Sequence, residues 1–230
     1  MNVLVACEES QRVCTSFREL GHEAFSADIQ EPSGGHPEWH ILGDVLGILN
    51  PTDHLDNFAA AKLYIRFKTM DGLFHEFDRW DIIIAHPPCT FLSNAGARHL
   101  WKGHKLNEVR YKQGLEAKEF FMQFYNADCD KICIENPIPS KVFELPPYSQ
   151  TIQPYEFGHP YTKRTCLWLK GLPNLQPTIV VEPIATWCPS SSYSHKHGEQ
   201  YRGMFTKDRP RNRAKTFEGV AAAMAAQWSC

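Results

Sequence analysis

The chain of 230 residues lacks the features that mark several protein classes. It has no apolar run of about 18 residues, which argues against a membrane-spanning helix. The start, Met1-Asn2-Val3-Leu4, lacks the basic and long apolar regions of a secretory signal peptide, so we expect a cytoplasmic protein. Repeats and low-complexity segments are also absent. A hydrophobic fraction of 43% then predicts one globular domain spanning residues 1–230.

Paired cysteine motifs are missing as well. The eight cysteines include no Cys-x-x-Cys pair, and without a secretory segment they predict free thiols in a reducing compartment. Cys188, His195 and His197 lie close together in the sequence and could join another thiol around zinc. Ordinary loop residues are the better interpretation of these three, and the sequence therefore predicts no metal site.

What is present is an alternation of short apolar strands and helices. Asn2–Ala6 is a credible first strand, a helix from Val13 to Leu20 ends at Gly21, and Glu23–Ala27 form a second strand. Asp28 follows that strand, where nucleotide-binding βαβ units carry an acid for ribose hydroxyls. A third strand over Trp39–Val45 would carry Asp44 near its end. This pattern predicts an α/β fold with a parallel sheet.

The most informative segment is Asp81–Thr90, a run of isoleucines that stops at Pro87-Pro88-Cys89. Proline cannot continue a sheet ladder, so the chain must leave the sheet there. In open α/β sheets the crevice beyond the carboxyl ends of the strands is where ligands bind, and Cys89 would be presented to it as a nucleophile. A cysteine that is simply a small buried apolar residue is the competing interpretation.

A second apolar strand, Lys131–Pro137, ends in Glu135 and Asn136. A neighbouring acid and amide can present donors and acceptors to the edge of a heterocyclic base. Ordinary loop residues that cap a turn would look the same in isolation.

Pro88-Cys89 followed by Glu135-Asn136 resembles the DNA cytosine-C5 methyltransferases. The resemblance implies a Rossmann-like class I methyltransferase sheet with helices on both faces. It also implies that Cys89 adds to C6 of a flipped cytosine, that Glu135 protonates N3, and that Asn136 and Pro88 shape the pocket. The methyl group would come from S-adenosylmethionine.

The family's cofactor site lies beyond its first strands, and here its Phe-x-Gly-x-Gly loop is replaced by Ala6–Gln11, which contains no glycine. The resemblance still implies cofactor binding at this edge of the sheet. The candidate residues are Ala6, Cys7, Glu8, Asp28, Ile29, Asp44, Val45 and His86.

Basic residues suggest where DNA would bind. In the family an arginine contacts the target base just before a late strand, and Arg164 fits that position with Lys163 beside it. A basic loop with Tyr193, Tyr201 and Phe205 could neutralise phosphates and stack on bases, although a solvated loop is the alternative. The DNA-contact candidates are Lys163, Arg98, Lys102, Arg202, Arg209, Arg211 and Arg213. Double-stranded DNA with a flipped cytosine is the expected partner. We expect no association with a membrane.

Further segments complete the predicted organisation. The pattern of residues 46–80 predicts a connection with an inserted β-hairpin, and that of Asn107–Tyr125 predicts a core-facing helix. Residues 170–214 would form a short basic recognition region, and residues 215–230 a closing helix. A recognition region this short resembles that of compact, phage-encoded enzymes, and this resemblance implies the cytoplasm of a bacterial or phage-infected host cell.

Three other functions stay open at this point. One is an exocyclic-amino DNA methyltransferase, a family that carries a Pro-Pro-aromatic motif. His86-Pro87-Pro88 resembles that motif in part, with Cys89 in the position of the aromatic residue. A thiol-dependent enzyme that modifies free pyrimidine nucleotides would share the cysteine chemistry. A non-catalytic DNA-binding relative would keep only the basic surface.

Overall fold

The computed structural model describes residues 1–54, 62–187 and 213–229. Short 3₁₀ helices cover Pro37–Trp39, Val45–Ile48, Lys141–Phe143 and Pro154–Glu156. The remaining elements are, in chain order, β1 (Asn2–Ala6), α1 (Arg12–Glu19), β2 (Glu23–Asp28), β3 (His40–Leu42), β4 (Thr52–His54), β5 (Lys62–Lys68), β6 (Phe74–Phe77), β7 (Ile82–Ala85), α2 (Asn94–Ala97), β8 (Trp101–Lys102), β9 (Lys105–Leu106), α3 (Glu108–Tyr125), β10 (Ile132–Pro137), β11 (Gln150–Ile152), β12 (Tyr161–Thr162), β13 (Thr165–Lys170), β14 (Ala185–Thr186) and α4 (Glu218–Trp228).

A seven-stranded sheet in the order β3-β2-β1-β7-β10-β13-β11 forms the centre of the fold. The five strands from β3 to β10 run parallel, whereas β13 is antiparallel to both of its neighbours. The predicted α/β class is confirmed as a mostly parallel sheet, and its order is compatible with a Rossmann-like fold. Among the described residues, no helix combines the length and the apolar character that crossing a membrane requires.

Helices cover both faces of this sheet because its inner strands are apolar on both sides. Side chains of β1 alternate between the two cores. Leu4 joins the core under α3, whereas Val3 and Val5 join the core under α1 and α4. The prediction of helices on both faces is therefore confirmed, and so is the closing helix, which packs as α4 against α1.

The predicted hairpin insertion is also confirmed. Strands β5 and β6 pair antiparallel, and β4 adds to the other edge of β5. The hairpin covers the sheet through aromatic side chains, with the ring of Phe67 5.0 Å from that of Phe25 and 5.5 Å from that of Trp80. The Trp80 indole donates to the carbonyl of Ile48 over 2.7 Å, which ties the segment before β7 to the 3₁₀ helix Val45–Ile48.

The third strand is shorter than the sequence predicts. Only His40–Leu42 pair with β2, and 3₁₀ helices precede and follow them. The physical reason lies in Asp44, whose carboxylate accepts from the backbone amide of Leu46 over 3.0 Å and so begins the next 3₁₀ helix. The predicted helix over Asn107–Tyr125 is observed as α3, with the Asn107 side chain as its amino-terminal cap.

We expect Gly114→Ala to destabilise the fold by about 1–3 kcal/mol, because a Cβ atom on α3 there would lie 2.0 Å from the ring of the buried Phe143. Urea unfolding followed by circular dichroism measures this loss. Gly47→Ala is the matched control, since a Cβ atom at Gly47 meets no heavy atom within 4 Å. Equal stability of the two variants would contradict the packing argument.

Candidate active site

The carboxyl ends of three parallel strands meet in register at one edge of the sheet. Ala6 of β1 pairs with Ala85 of β7, which in turn pairs with Ile134 of β10. The next residues are Cys7, His86 and Glu135, which the parallel register therefore brings into one row. The backbone amide of His86 donates to the carbonyl of Ala6 over 2.9 Å and holds the row together.

The loop that carries Cys89 is fastened from two sides. Asn136 donates its amide to the carbonyl of Pro87 over 2.9 Å, and this bond is buried. Arg110 of α3 donates to the carbonyls of Thr90 and Gly96, and its guanidinium lies 4.9 Å from the ring centre of Phe91. These bonds fix the loop next to β10. Asn136 thus positions the loop that contains the exposed Pro88, whereas its neighbour Glu135 faces the opposite side of β10.

Glu135 lines a pocket between the sheet and the start of α4. Because β13 is antiparallel to β10, the start of β13 lies beside the end of β10, and Pro137 pairs with Thr165. The sheet topology therefore brings Lys163 and Thr165 to Glu135. The pocket is lined by Glu135, Ile152, Pro154, Lys163, Thr165, Thr216, Phe217 and Val220.

The Glu135 carboxyl group is buried but well provided with partners. Burial raises its pKa, yet the charge of Lys163 and hydrogen bonds from His86 and Thr165 together bring the pKa below its ordinary value. The Oε2 atom of Glu135 lies 3.0 Å from Nδ1 of His86, and the two side chains are only 10% and 8% exposed. The surroundings of Glu135 therefore favour its ionised form, which accepts hydrogen bonds.

Cys89 is half-buried and lies within electrostatic reach of the same groups. Burial raises the pKa of its thiol, the charge of Glu135 raises it further, and the positive charges of Arg213 and Lys163 lower it. The structure thus brings the predicted nucleophile and the predicted acid to one site. The thiol is mainly protonated there, and Lys163 and Arg213 are the cations that favour its thiolate form.

Three of the predicted cofactor residues come together at the ends of β1, β2 and β3. Burial and then the charges of Asp28 and Asp44 raise the pKa of the Cys7 thiol to about 12, so both carboxylates lie near Cys7. Each carboxylate accepts one local backbone amide, from Gln30 to Asp28 and from Leu46 to Asp44. Ile29 follows Asp28 and is 80% exposed, an apolar surface next to two acceptors.

The other cofactor candidates are buried, and Glu8 is engaged locally. Ala6 is buried in the sheet and Val45 in the core. Glu8 accepts the amides of Val13 and Cys14 at 2.7 and 3.2 Å, so its carboxyl group caps α1. Burial raises the pKa of that carboxyl despite these bonds.

In the glycine-free loop Ala6–Gln11, residues other than glycine adopt the left-handed backbone conformation. Cys7 and Gln11 both have φ of 58°, the left-handed region that glycine normally fills. The Gln11 amide donates to the carbonyl of His36 over 2.8 Å, and its carbonyl oxygen accepts from the His36 amide over 3.1 Å. A Cβ atom on Gly34 would lie 2.6 Å from Gln11, so close approach is provided by a glycine of the facing segment.

The DNA candidates divide by position. Arg98 and Lys102 are exposed just after the cysteine loop, and Arg213 is exposed yet near enough to influence Cys89. Arg164 is exposed and acts on Cys166, on the other side of β13 from Glu135. Lys163, and not Arg164, therefore reaches the pocket. Arg202, Arg209 and Arg211 lie outside the described residues, as do Cys188, His195 and His197.

Several residues of this site escaped sequence reasoning. No sequence pattern marks Arg110 as a site residue, because its guanidinium binds backbone carbonyls of a loop that is distant in sequence. Thr165 could have been found, since two-residue periodicity places it on the same side of the chain as Lys163. Over the described part of the chain, no three histidine, cysteine or acidic residues cluster to hold a metal, and all six described cysteines are free thiols.

Comparison with known proteins adds no family to this geometry. No protein-family model matches the chain, and no curated protein matches it at a significant level.

Proposed function

We propose that the chain is an S-adenosylmethionine-dependent DNA methyltransferase that modifies cytosine at C5 through a covalent adduct with Cys89. The observation that carries the proposal is the convergence of Cys89, Glu135 and Lys163 at the carboxyl edge of the sheet. A thiol, an acid and a cation are the groups that nucleophilic addition to a pyrimidine requires.

Each of these residues has a defined task in the proposed reaction. The Cys89 thiol loses its proton to solvent, and its sulfur forms a bond to C6 of the cytosine while the electrons of the C5–C6 double bond move towards C5. Glu135, which takes up a proton as the base binds, supplies it to N3, and this balances the negative charge that addition brings into the ring. C5 would then take the methyl group. A base removes the C5 proton, and the electrons of that C–H bond re-form the double bond as the C6–S bond breaks. Lys163 favours both the thiolate and the carboxylate that remains after proton transfer.

The fold supports the cofactor part of the proposal. The mostly parallel sheet, with a reversed strand between β10 and β11, is compatible with a Rossmann-like fold, the sheet type that the proposal requires. Asp28, Asp44 and the exposed Ile29 fit a nucleoside, because carboxylates accept from ribose hydroxyls and adenine amines while an apolar side chain covers a flat base. S-adenosylmethionine, when bound, would supply the methyl group as an electrophile.

The decisive experiment combines the protein with double-stranded DNA and S-adenosylmethionine carrying a labelled methyl group. Nucleoside analysis of the digested DNA should find the label in 5-methylcytosine. Label in N4-methylcytosine or N6-methyladenine would identify an exocyclic-amino enzyme instead. Labelled mononucleotides, with DNA left unlabelled, would identify a nucleotide-modifying enzyme.

Binding of S-adenosylhomocysteine tests the cofactor residues directly. We expect Asp28→Ala and Asp44→Ala each to weaken binding by about ten- to a hundredfold, because each removes a charged acceptor from a nucleoside hydrogen bond. Isothermal titration calorimetry measures the change. Glu19→Gln, at an exposed acid near the far end of α1, is the matched control and should bind as the unchanged protein does. Unaltered affinity in both aspartate variants would place the cofactor elsewhere.

A further inference from the structure

His86 is in contact with one buried carboxyl group and within electrostatic reach of another. Its Nδ1 atom lies 3.0 Å from Oε2 of Glu135, while its charge acts on Glu8 at the start of α1. The His86 backbone is held to β1 by the bond to Ala6, so the imidazole is anchored independently of Glu135. This is the geometry of a side chain that orients a carboxyl group.

The direction of the His86–Glu135 bond follows from the charge of the acid. An ionised carboxylate only accepts hydrogen bonds, and the pKa of Glu135 is below its ordinary value, so Nδ1 of His86 carries the hydrogen and donates it. Nε2 of His86 is buried and has no hydrogen-bond partner among the described residues. The bond to Glu135 is therefore the polar contact that defines the orientation of this ring.

We propose that His86 is a positioning residue for Glu135, whose Nδ1–H occupies Oε2 and so leaves Oε1 to carry the proton that is given to ring N3. This inference rests on the proposed function and adds a residue to it. Because Glu135 rests as a carboxylate, Oε1 first takes up a proton from solvent as the base binds. In the step itself the Oε1–H bond breaks, the N3–H bond forms and the electron pair stays on the carboxylate. The Nδ1–H donor stabilises that carboxylate as its charge develops.

Other charged and titratable groups surround the pair and bear on the test. Lys163 faces Glu135 from the segment before β13, Cys133 lies on the same strand and Cys89 on the loop. Cys166 lies on the other side of β13, although its thiol senses the charge of Glu135. Glu8 faces His86, with Arg12 beside it. The Thr165 hydroxyl also bonds the Glu135 carboxyl group, and since a hydroxyl both donates and accepts, it is compatible with either charge state. A test must therefore change His86 alone.

Two substitutions separate the donor from the bulk of the ring. His86→Asn places an amide N–H near the position of Nδ1, whereas His86→Leu fills similar space with no donor. Two quantities are measured. The first is the rate at which the C5 hydrogen of cytosine exchanges with solvent at a saturating concentration of DNA. The second is the titration of the Glu135 carboxyl carbon by NMR, with Glu135→Gln used to assign the signal. In His86→Leu we expect Glu135 to titrate about one pH unit or more higher and exchange to fall about tenfold or more, with DNA affinity unchanged. His86→Asn should resemble the unchanged protein in both.

The outcomes divide cleanly. Slower exchange in His86→Leu with an unchanged Glu135 titration would show a merely structural effect and overturn the inference, as would identical behaviour of the two variants. Thermal unfolding identifies a variant that fails to fold, and the asparagine variant then still tests the donor. If the unchanged protein shows no exchange at all, the proposed function fails, and the carboxyl titration alone decides whether His86 controls Glu135.

Discussion

Cys89→Ala is expected to abolish methyl transfer to cytosine, with a loss of about 10⁴-fold or more, the scale seen when a catalytic nucleophile is removed. C5 of cytosine is a poor nucleophile until a thiolate has added to C6, so no other group of the pocket replaces the sulfur. The fold should survive, because Cys89 is half-buried in a loop that Asn136 and Arg110 hold through backbone carbonyls. Transfer of labelled methyl groups to DNA measures the loss.

A covalent intermediate provides the second measurement for this variant. DNA that contains 5-fluorocytosine cannot lose the C5 substituent as a proton, so the adduct should persist and migrate as a protein–DNA complex in a denaturing gel. The complex should form with the unchanged protein and not with Cys89→Ala. Cys129→Ala is the matched control, since Cys129 is buried near the opposite end of β10 and bonds to backbone carbonyls there. Undiminished methyl transfer in Cys89→Ala would rule out the thiol route.

Glu135→Gln is expected to slow methyl transfer by about 10²- to 10⁴-fold, the usual contribution of a positioned general acid. The substitution keeps the shape of the side chain but removes the group that delivers a proton to N3. It also leaves Lys163 without its buried counter-charge. Single-turnover transfer rates measure the effect, and Glu19→Gln is again the control. A rate close to that of the unchanged protein would exclude Glu135 as the acid.

The same variant makes a prediction about stability against pH. The folded-state pKa of Glu135 lies below its ordinary value, so the ionised carboxylate contributes stability that is present above the unfolded-state pKa. That contribution is lost as the pH falls through the folded-state pKa. Urea unfolding should therefore show a stability deficit for Glu135→Gln near neutral pH that shrinks under acidic conditions. A deficit independent of pH would show that shape, and not charge, accounts for it.

Local patterns predicted much of the fold because they depend on short-range chemistry. The apolar run before Pro87 is a buried strand, the alternating segment around Ile65 is a hairpin, and Asn107 begins α3. The third strand was predicted too long, since periodicity alone does not register the cap that Asp44 forms. Patterns of this kind identify elements more surely than their ends.

Assignment of side chains to the site was less complete because it requires knowing which strands are neighbours. Adjacent in sequence, Glu135 and Asn136 were predicted to face one base together, yet alternation along β10 turns Asn136 towards the cysteine loop. The adjacent side chains of Lys163 and Arg164 also lie on opposite sides of the chain. Lys163 faces the pocket, whereas Arg164 acts on Cys166. The contact between the His86 imidazole and Glu135 was not predicted from the sequence, which proposed His86 only as a cofactor residue.

By itself, the sequence determined the α/β class, the strands that end at Cys89 and at Glu135, and the candidate chemistry of those two residues. Tertiary structure alone decided that the thiol and the carboxyl group share a site, because strand order and the reversed direction of β13 depend on pairing between distant segments. It also decided the partners of Glu135. Its pKa is governed by burial, Lys163, His86 and Thr165, and all four influences come from residues far away along the chain or from the packing around Glu135.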